Sequence, residues 1–314
     1  LVNNSFYDNT MQKMYRIKDR EAVSNPTFYG GEPVWNTAER QGVKAATYFW
    51  VGSEAPVGGK HNSIWKVFDS SVPYNDRADS VVAWLSLPKE QRPHLVMWYI
   101  EEPDAIGHDA TPDSSAVIDK VEELDAVLAR FFSKVNKLDI APKIDFIVTS
   151  DHGMATFVPD KYVNLGDYLP RDSFKFVFDG VPTVLYPKPG YTDTAYEILK
   201  KVPNITVWKK EEVPARYQYG SNARIGDLIV LPDVGCMVQF RDKGKPWLGG
   251  AHGYDNFDPT MQAIFYASGP SFKKNVTHPS LPNISLYPLI CRLLKIKPAP
   301  NDADSVNLDG LLKK

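Results

Sequence analysis

Three short segments of the chain combine histidine, carboxylate and glycine residues. They are E-E-P-D-A-I-G-H at 101–108, S-D-H-G-M at 150–154 and G-G-A-H-G-Y-D-N at 249–256. Half of the six histidines of the chain, His108, His152 and His252, fall in these segments. Imidazole and carboxylate without thiolate suit Zn²⁺, and suit Mn²⁺ less well. The segments therefore predict a metal site.

Each of these residues also has an ordinary structural interpretation. A single loop histidine is usually a surface or core residue, and a single aspartate after a strand is more often a helix cap. Asp104 four residues before His108 is a weak signal, and Asp151-His152-Gly153 after an apolar segment is a moderate one. The specific signal is the three segments together, in this order. The remaining histidines lack such neighbours and are interpreted as structural: His61, His94 and His278.

The elements that must position these segments are apolar runs alternating with helical patterns. The runs predict strands at 46–50, 95–100, 144–149, 227–231 and 262–268. They are almost continuously apolar, which is typical of a sheet covered on both faces. The three histidine-containing segments are called the metal-ligand segments, and two of them directly follow predicted strands. In open α/β sheets, bound molecules and ions lie at the carboxyl ends of the strands. The pattern predicts an α/β fold with a mostly parallel central sheet and helices on both faces.

Two helices are predicted, at Ser115–Val135 and Leu286–Leu294. In the first, apolar residues recur at three- and four-residue steps and form one stripe: Val117, Val121, Leu124, Leu128, Phe131 and Val135. The segment 157–250 is rich in proline, glycine and aromatic residues. We expect residues 1–314 to form one catalytic domain in which 157–250 is an insertion that shapes the substrate pocket.

Composition excludes several classes of function. The formal net charge is -2, so no overall field attracts a nucleic acid polymer or an anionic membrane. No run approaches the roughly 18 apolar residues of a membrane span. Cys236 and Cys291 stand in no C-x-x-C pattern. We favour two buried thiols over a disulfide, and neither cysteine builds a metal site.

Three motifs of the chain resemble those of the nucleotide pyrophosphatase/phosphodiesterase family, in the alkaline phosphatase superfamily. They are E-E-P-D-A-I-G-H, T-S-D-H-G-M and A-H-G-Y-D-N. Further similar segments are G-G-E-P-V-W (30–35), A-T-Y-F-W-V-G-S-E (46–54), K-V-F-D-S-S-V-P (66–73), M-Q-A-I-F (261–265) and K-P-A-P-N-D (297–302). The resemblance covers nearly the whole chain and is weakest between about 157 and 250.

The resemblance implies a two-zinc site and assigns its ligands. Asp104, His108 and His252 match the three ligands of one Zn²⁺, and Asp151 and His152 match two ligands of the other. The two carboxylates that precede Asp104, Glu101 and Glu102, are interpreted as supporting residues and not as acid or base.

The resemblance also implies substrate contacts. Asn4 matches an asparagine that helps to hold a non-bridging phosphate oxygen. Phe68 and Tyr99 match aromatic positions that flank the nucleoside, although simple core packing is the alternative for both. The implied substrate is a nucleotide or related small phosphodiester.

The family's threonine nucleophile and one zinc-binding aspartate match no residue of this sequence. We therefore expect a segment of the same domain to precede Leu1 and to supply both. The resemblance further implies a periplasmic or secreted location.

Other functions remain open. The same metal set serves phosphomonoesterases, sulfatases and phosphoglycerate mutases of the superfamily, and an aromatic box would also suit a choline phosphodiester. A non-catalytic protein that binds metal or nucleotide is the alternative from a different class. A zinc protease is disfavoured because the chain has no H-E-x-x-H motif.

Overall fold

The computed structural model describes residues 3–241, 248–303, 308 and 310–313. The chain divides into two compact units, each built from segments far apart in sequence. The first unit comprises 1–19, 102–120 and 152–264, and the second comprises 20–101, 121–151 and 265–314. The predicted insertion 157–250 lies within the first unit.

Short strands and helices follow one another along the described chain. The strands are β1 Ser5–Asp8, β2 Lys13–Arg16, β3 Ala45–Tyr48, β4 Ile64–Lys66, β5 Leu95–Trp98, β6 Phe146–Thr149, β7 Ala155–Thr156, β8 Tyr162–Asn164, β9 Phe174–Phe178, β10 Thr183–Pro187, β11 Ile205–Lys209, β12 Leu228–Pro232, β13 Met237–Gln239, β14 Gly250–Ala251 and β15 Phe265–Ser268. The α-helices are α1 Arg20–Ser24, α2 Val34–Arg40, α3 Tyr74–Leu85, α4 Asp104–Ala110, α5 Ser115–Val135, α6 Thr192–Leu199 and α7 Leu286–Leu294.

The second unit contains the parallel sheet that the sequence predicts. Its strand order is β4-β3-β5, and Ala46 pairs with Val96. The C-terminal part of α5 packs in this unit, where Phe131 and Val135 join a buried cluster with Tyr48, whereas Val121 is 49% exposed. Helices α5 and α7 have the bounds that the apolar periodicity predicts. Both helix predictions are thus confirmed.

The first unit contains an antiparallel sheet of order β11-β12-β10-β9, which packs on α6 through a buried cluster that includes Leu185, Leu199 and Leu228. The strand predicted at 227–231 lies in this sheet, as β12, and β15 of the second unit pairs antiparallel with β6. Strands β12 and β15 thus pair antiparallel and not parallel with their neighbours. A continuous apolar run reports burial on both faces, and it does so whichever way the neighbouring strands run.

The α/β fold class is confirmed, with mixed sheets. Within the described ranges, none of the helices is long and apolar enough to cross a membrane. Cys236 and Cys291 are both buried and free, so the interpretation as thiols is confirmed. Burial raises the pKa of the Cys236 thiol to about 11, which suits a packing role.

Candidate metal centre

Helix α4 places Asp104 and His108 on one of its faces. The two residues are four apart and so lie on one helical face. The helix begins directly after Pro103, and the N–H of Ile106 donates to Glu102 Oε2 at 3.1 Å. Glu102 therefore satisfies one of the donors that the first turn leaves open, as a supporting residue should.

A glycine contact brings α4 against β14, the strand that precedes His252. A Cβ atom on Gly107 would lie 2.7 Å from Met154 Sδ, and one on Gly250 would lie 2.6 Å from the same sulfur. Met154 could move away from a Cβ on Gly107, but a Cβ on Gly250 would also lie 2.7 Å from the backbone carbonyl oxygen of Gly107. The close approach of α4 and β14 therefore requires glycine at 250.

The ligand-type atoms of this region converge on one carboxylate oxygen. Asp104 Oδ1 lies 3.4 Å from His108 Nε2, 3.5 Å from His252 Nε2 and 3.9 Å from His152 Nε2. The ligand atoms of Asp104, His108 and His252 all lie within 4.8 Å of one another. The rings of His152 and His252 stack with centroids 3.4 Å apart.

Backbone carbonyls fix the tautomers of two of these histidines. His108 Nδ1 lies 2.8 Å from the carbonyl oxygen of Gly250, and His152 Nδ1 lies 2.8 Å from that of Gly153. A carbonyl can only accept, so both Nδ1 atoms donate. In the neutral rings Nε2 then carries a lone pair, and it is Nε2 that faces Asp104. A second ring nitrogen held by a carbonyl is the usual support of a metal-bound histidine.

This arrangement fits a divalent cation. Asp104 Oδ1 is buried and accepts no hydrogen bond from the described residues. Acceptor atoms that converge without a hydrogen between them repel one another, and a buried carboxylate oxygen without a partner is costly. A cation removes both penalties. The donor set of imidazole nitrogen and carboxylate oxygen suits Zn²⁺.

Asp151 follows strand β6, as the sequence predicts, and its backbone carbonyl accepts a hydrogen bond from Asn283 Nδ2 at 3.5 Å. The boundary between the two units falls between Asp151 and His152. His152 faces Asp104 in the first unit. The assignment of Asp151 and His152 to a second ion stays a prediction.

The predicted substrate residues differ in their surroundings. Asn4 is exposed just before β1. Phe68 is 37% exposed, and its ring meets that of Phe49 edge to face at 5.3 Å. Tyr99 is half-buried and packs against the cluster around Tyr48. Phe68 is therefore more accessible to a ligand than Tyr99, and all three roles stay predictions.

An arginine that the sequence analysis missed holds the loop after His252. Arg216 donates to Asp255 Oδ1 at 2.7 Å and to Asp255 Oδ2 at 2.5 Å, and to the side chain of Asn256 at 3.1 Å. Asp255 and Asn256 belong to the third metal-ligand segment, whereas Arg216 comes from a 3-10 helix some 40 residues earlier. No sequence signal links the two, since only the tertiary fold brings them together.

Replacing Arg216 by methionine should raise the pKa of Asp255. The hydrogen bonds from Arg216 hold this pKa at about 2 in the folded protein. Without them we expect a value near the ordinary 3.9 of a carboxyl group, measured by carbon-detected NMR titration. In the wild type the folded pKa lies below the unfolded one. The pair therefore adds stability above about pH 4 that is lost as the pH falls through about 2.

Asp79 is the internal control for this titration. Hydrogen bonds from Arg130 and Lys134 hold its pKa at about 2, and Arg216 does not contribute, so it should keep its wild-type value in the variant. An Asp255 pKa that stays near 2 in Arg216→Met would show that Arg216 is not what lowers it.

The sequence matches a known protein family over most of its length. Residues 1–255 match the family described as type I phosphodiesterase / nucleotide pyrophosphatase. The match covers most of the chain and includes the first two metal-ligand segments and the third up to Asp255.

The chain belongs to this family. The resemblance drawn from the motifs is thereby confirmed. Over its whole length the chain is 35% identical to venom phosphodiesterase CdcPDE of Crotalus durissus collilineatus, of which it covers 39%. It is 33% identical to ectonucleotide pyrophosphatase/phosphodiesterase family member 3 of Rattus norvegicus, of which it covers 37%. It therefore spans about two fifths of the length of these relatives.

Solved structures of family members share the fold. Murine ectonucleotide pyrophosphatase/phosphodiesterase 5 superposes with a TM-score of 0.93 at 29% identity, over 99% of this chain and 83% of the other. The human counterpart gives the same TM-score at 30% identity. The murine protein is also known as an inactive threonine-to-alanine variant in complex with AMP.

Proposed function

We propose that this chain carries the metal centre of a hydrolase that cleaves phosphodiester or pyrophosphate bonds of nucleotides or related small molecules. The observation that carries the proposal is the convergence of three histidine Nε2 atoms on the buried, unpartnered Asp104 Oδ1. Family membership supports the reaction class, because the relatives are named as phosphodiesterases and nucleotide pyrophosphatases.

The proposed cofactor is two Zn²⁺ ions. Asp104, His108 and His252 would hold the first, and Asp151 and His152 would contribute to the second. When bound, the ions supply Lewis-acid stabilisation of the negative charge on the phosphoryl and leaving-group oxygens. The protein's part is to hold the ligands in place, as Gly250 does for His108 and Gly153 does for His152.

The proposed nucleophile is a threonine hydroxyl. The inactive threonine-to-alanine variant of the murine relative supports this type of nucleophile. We assign it to no residue of this sequence. Asn4 would donate its side-chain amide to a non-bridging phosphate oxygen.

We further propose an extracytoplasmic location for the protein. This is supported by the names of the relatives, which are venom enzymes and ecto-enzymes.

Substitution of Phe68 tests whether a nucleoside stacks on this ring. Phe68→Ala and Tyr99→Ala should lower kcat/KM for nucleoside monophosphate esters more than for bis-nitrophenyl phosphate, which has no base. Stacking of one base is worth about 1–3 kcal/mol by alanine substitution. Because Phe68 is the more exposed of the two rings, its substrate discrimination should be the larger. Equal losses on both substrates would mean that the two rings only support the fold.

The proposed function is tested by assaying the full-length protein on a nitrophenyl ester of a nucleoside 5′-monophosphate. We expect hydrolysis that a chelator abolishes and that Zn²⁺ restores. A nitrophenyl phosphate monoester is the matched substrate, and it should be the poorer of the two. Absence of diester hydrolysis in zinc-replete protein would contradict the proposal.

A further inference from the structure

The antiparallel sheet of the first unit has a cavity of about 250 Å³ at one of its ends. Strands β9 and β12 begin at this end and strands β10 and β11 finish there, because Tyr186 pairs with Phe176 and Lys209 pairs with Leu228. The residues that line the cavity belong to the first unit, and none of them belongs to a metal-ligand segment. The cavity is therefore built from other residues than the metal centre.

Three lysines line the cavity, one from β9 and one directly after each of β10 and β11. They are Lys175, Lys188 and Lys210. Two backbone hydrogen bonds continue the sheet to the last two of them. The N–H of Lys188 donates to the carbonyl of Ser173 at 2.9 Å, and that of Lys210 donates to the carbonyl of Asp227 at 3.1 Å. The sheet therefore fixes the backbone from which all three side chains extend.

The charges around the cavity are not balanced. Of the described residues that line it, only Asp227 is acidic, and its Oδ1 lies 3.2 Å from Lys210 Nζ. The nearest carboxylate of α6, on Asp193, lies 2.6 Å from the ammonium group of Lys209 instead. The other two lysines of the cavity are exposed and take part in neither pair. Three positive charges against one negative leave the lining with a formal charge of +2.

Part of the cavity wall is apolar. Tyr186 and Ile225 are 7% and 3% exposed, and two prolines also line the cavity. Lys175 Nζ lies 4.5 Å from the ring centroid of Tyr7, which packs in one buried cluster with Tyr186. Walls of low dielectric constant focus the field of the ammonium groups into the cavity. We therefore expect an anion to bind here, although the formal net charge of the whole chain is -2.

The charge and the size of the cavity indicate which anion fits. A phosphate monoester carries about −1.5 to −2 charges at pH 7, which matches the lining, whereas a diester carries a single negative charge. A lysine ammonium group is a compact charge with three donors, and it binds phosphate as a point charge. The volume of about 250 Å³ is below the roughly 300–1,000 Å³ of sites for drug-sized ligands. A phosphate group with a small substituent therefore fits.

We propose that this cavity binds phosphate monoesters, with Lys175 and Lys188 as the residues that recognise the phosphate group. Lys210, which Asp227 holds in place, is the third donor. The proposal adds a second anion site to the protein. It does not depend on the proposed hydrolysis, because the cavity shares no residue with the ligand set Asp104, His108 and His252.

Lysine footprinting by mass spectrometry tests the site in the full-length protein. A reagent that acetylates amines reacts with exposed lysines, and a bound phosphate group should slow its reaction at Lys175 and Lys188. Methyl phosphate should protect both residues. Dimethyl phosphate, the matched diester, should protect neither at the same ionic strength. Lys201, an exposed lysine of the same unit, is the internal control and should react equally in all samples.

Variants then show which charges bind the phosphate group. Lys188→Met should raise the methyl phosphate concentration that half-protects Lys175 by about 10-fold or more, as expected for the loss of one charge-assisted hydrogen bond. The matched control Lys201→Met should leave this concentration unchanged. Asp104→Asn should also leave it unchanged, which separates this site from phosphate bound at the metal centre.

Several results would overturn the proposal. They are no protection of Lys175 and Lys188 by methyl phosphate, equal protection by dimethyl phosphate, and equal protection of Lys201. Protection by a heparin fragment but not by methyl phosphate would also overturn it, and would indicate a surface for sulfated polymers. Loss of protection in Asp104→Asn would assign the bound phosphate to the metal centre instead. If protection is as expected while no nucleotide diester is hydrolysed, the anion site stands and the proposed function fails.

Discussion

Replacement of Asp104 by alanine should lower kcat/KM for a nucleotide diester by about 10³-fold or more. Asp104 Oδ1 is the atom on which three imidazole nitrogens converge, at 3.4 to 3.9 Å. Without it, the proposed first ion loses its carboxylate ligand, and Lewis-acid stabilisation worth several kcal/mol is lost with it. The measurement is steady-state kinetics at saturating Zn²⁺ with the full-length protein.

Asp109→Ala is the matched control for this variant. Asp109 lies on the same helix, α4, but is exposed, and its replacement should leave kcat/KM within a small factor of the wild type. Asp104→Asn keeps the size of the side chain and should behave like Asp104→Ala, because charge and not volume is what the site requires. Wild-type activity in Asp104→Asn would show that Asp104 is not a metal ligand.

The second large effect is expected at Arg77, for stability. The Arg77 side chain is only 1% exposed and donates two hydrogen bonds to the Glu101 carboxylate, at 2.5 and 2.9 Å. Its guanidinium also lies over the rings of Phe49 and Tyr74, at 5.0 and 4.7 Å. Arg77→Met leaves Glu101 largely buried and without its cation, which should cost about 3–5 kcal/mol in the free energy of unfolding.

Urea denaturation measures this loss of unfolding free energy. Two further variants show whether it comes from the buried ion pair. Adding Glu101→Gln to Arg77→Met removes the stranded charge and should recover part of the loss. Arg130→Met breaks an exposed pair with Asp79 and should cost far less, because solvent screens it. A loss in Arg77→Met no larger than that in Arg130→Met would show that burial does not strengthen the Arg77–Glu101 pair.

The three metal-ligand segments could be found from the sequence because chemistry restricts their residue types. Asp104, His108 and His252 are of types that metals require, and two of the segments follow strands whose ends lie at a sheet edge. Helix α5 was predictable to its bounds for a related reason, since six apolar residues repeat at helical spacing.

Other features were hidden because they depend on tertiary contacts between uninformative residues. The contact of Gly107 and Gly250 with Met154 leaves no pattern in the sequence, and neither does the pairing of Arg216 with Asp255. For Tyr99, the sequence does not distinguish a substrate contact from packing in the protein core. An aromatic residue that the family resemblance assigns to substrate packs here with a buried cluster, and one sequence does not distinguish these uses.

X-ray absorption at the zinc edge, on the full-length protein with its metal content determined, tests the central claim most directly. We expect two zinc ions per chain with nitrogen and oxygen ligands at about 2.0–2.2 Å. We expect no sulfur ligand, because both cysteines are buried within hydrophobic clusters. The Asp104→Asn, His108→Ala, His252→Ala triple variant should retain about one ion. Absence of bound zinc after incubation with excess Zn²⁺, a sulfur ligand at about 2.3 Å, or full loading of the triple variant would contradict a metal centre at Asp104, His108 and His252.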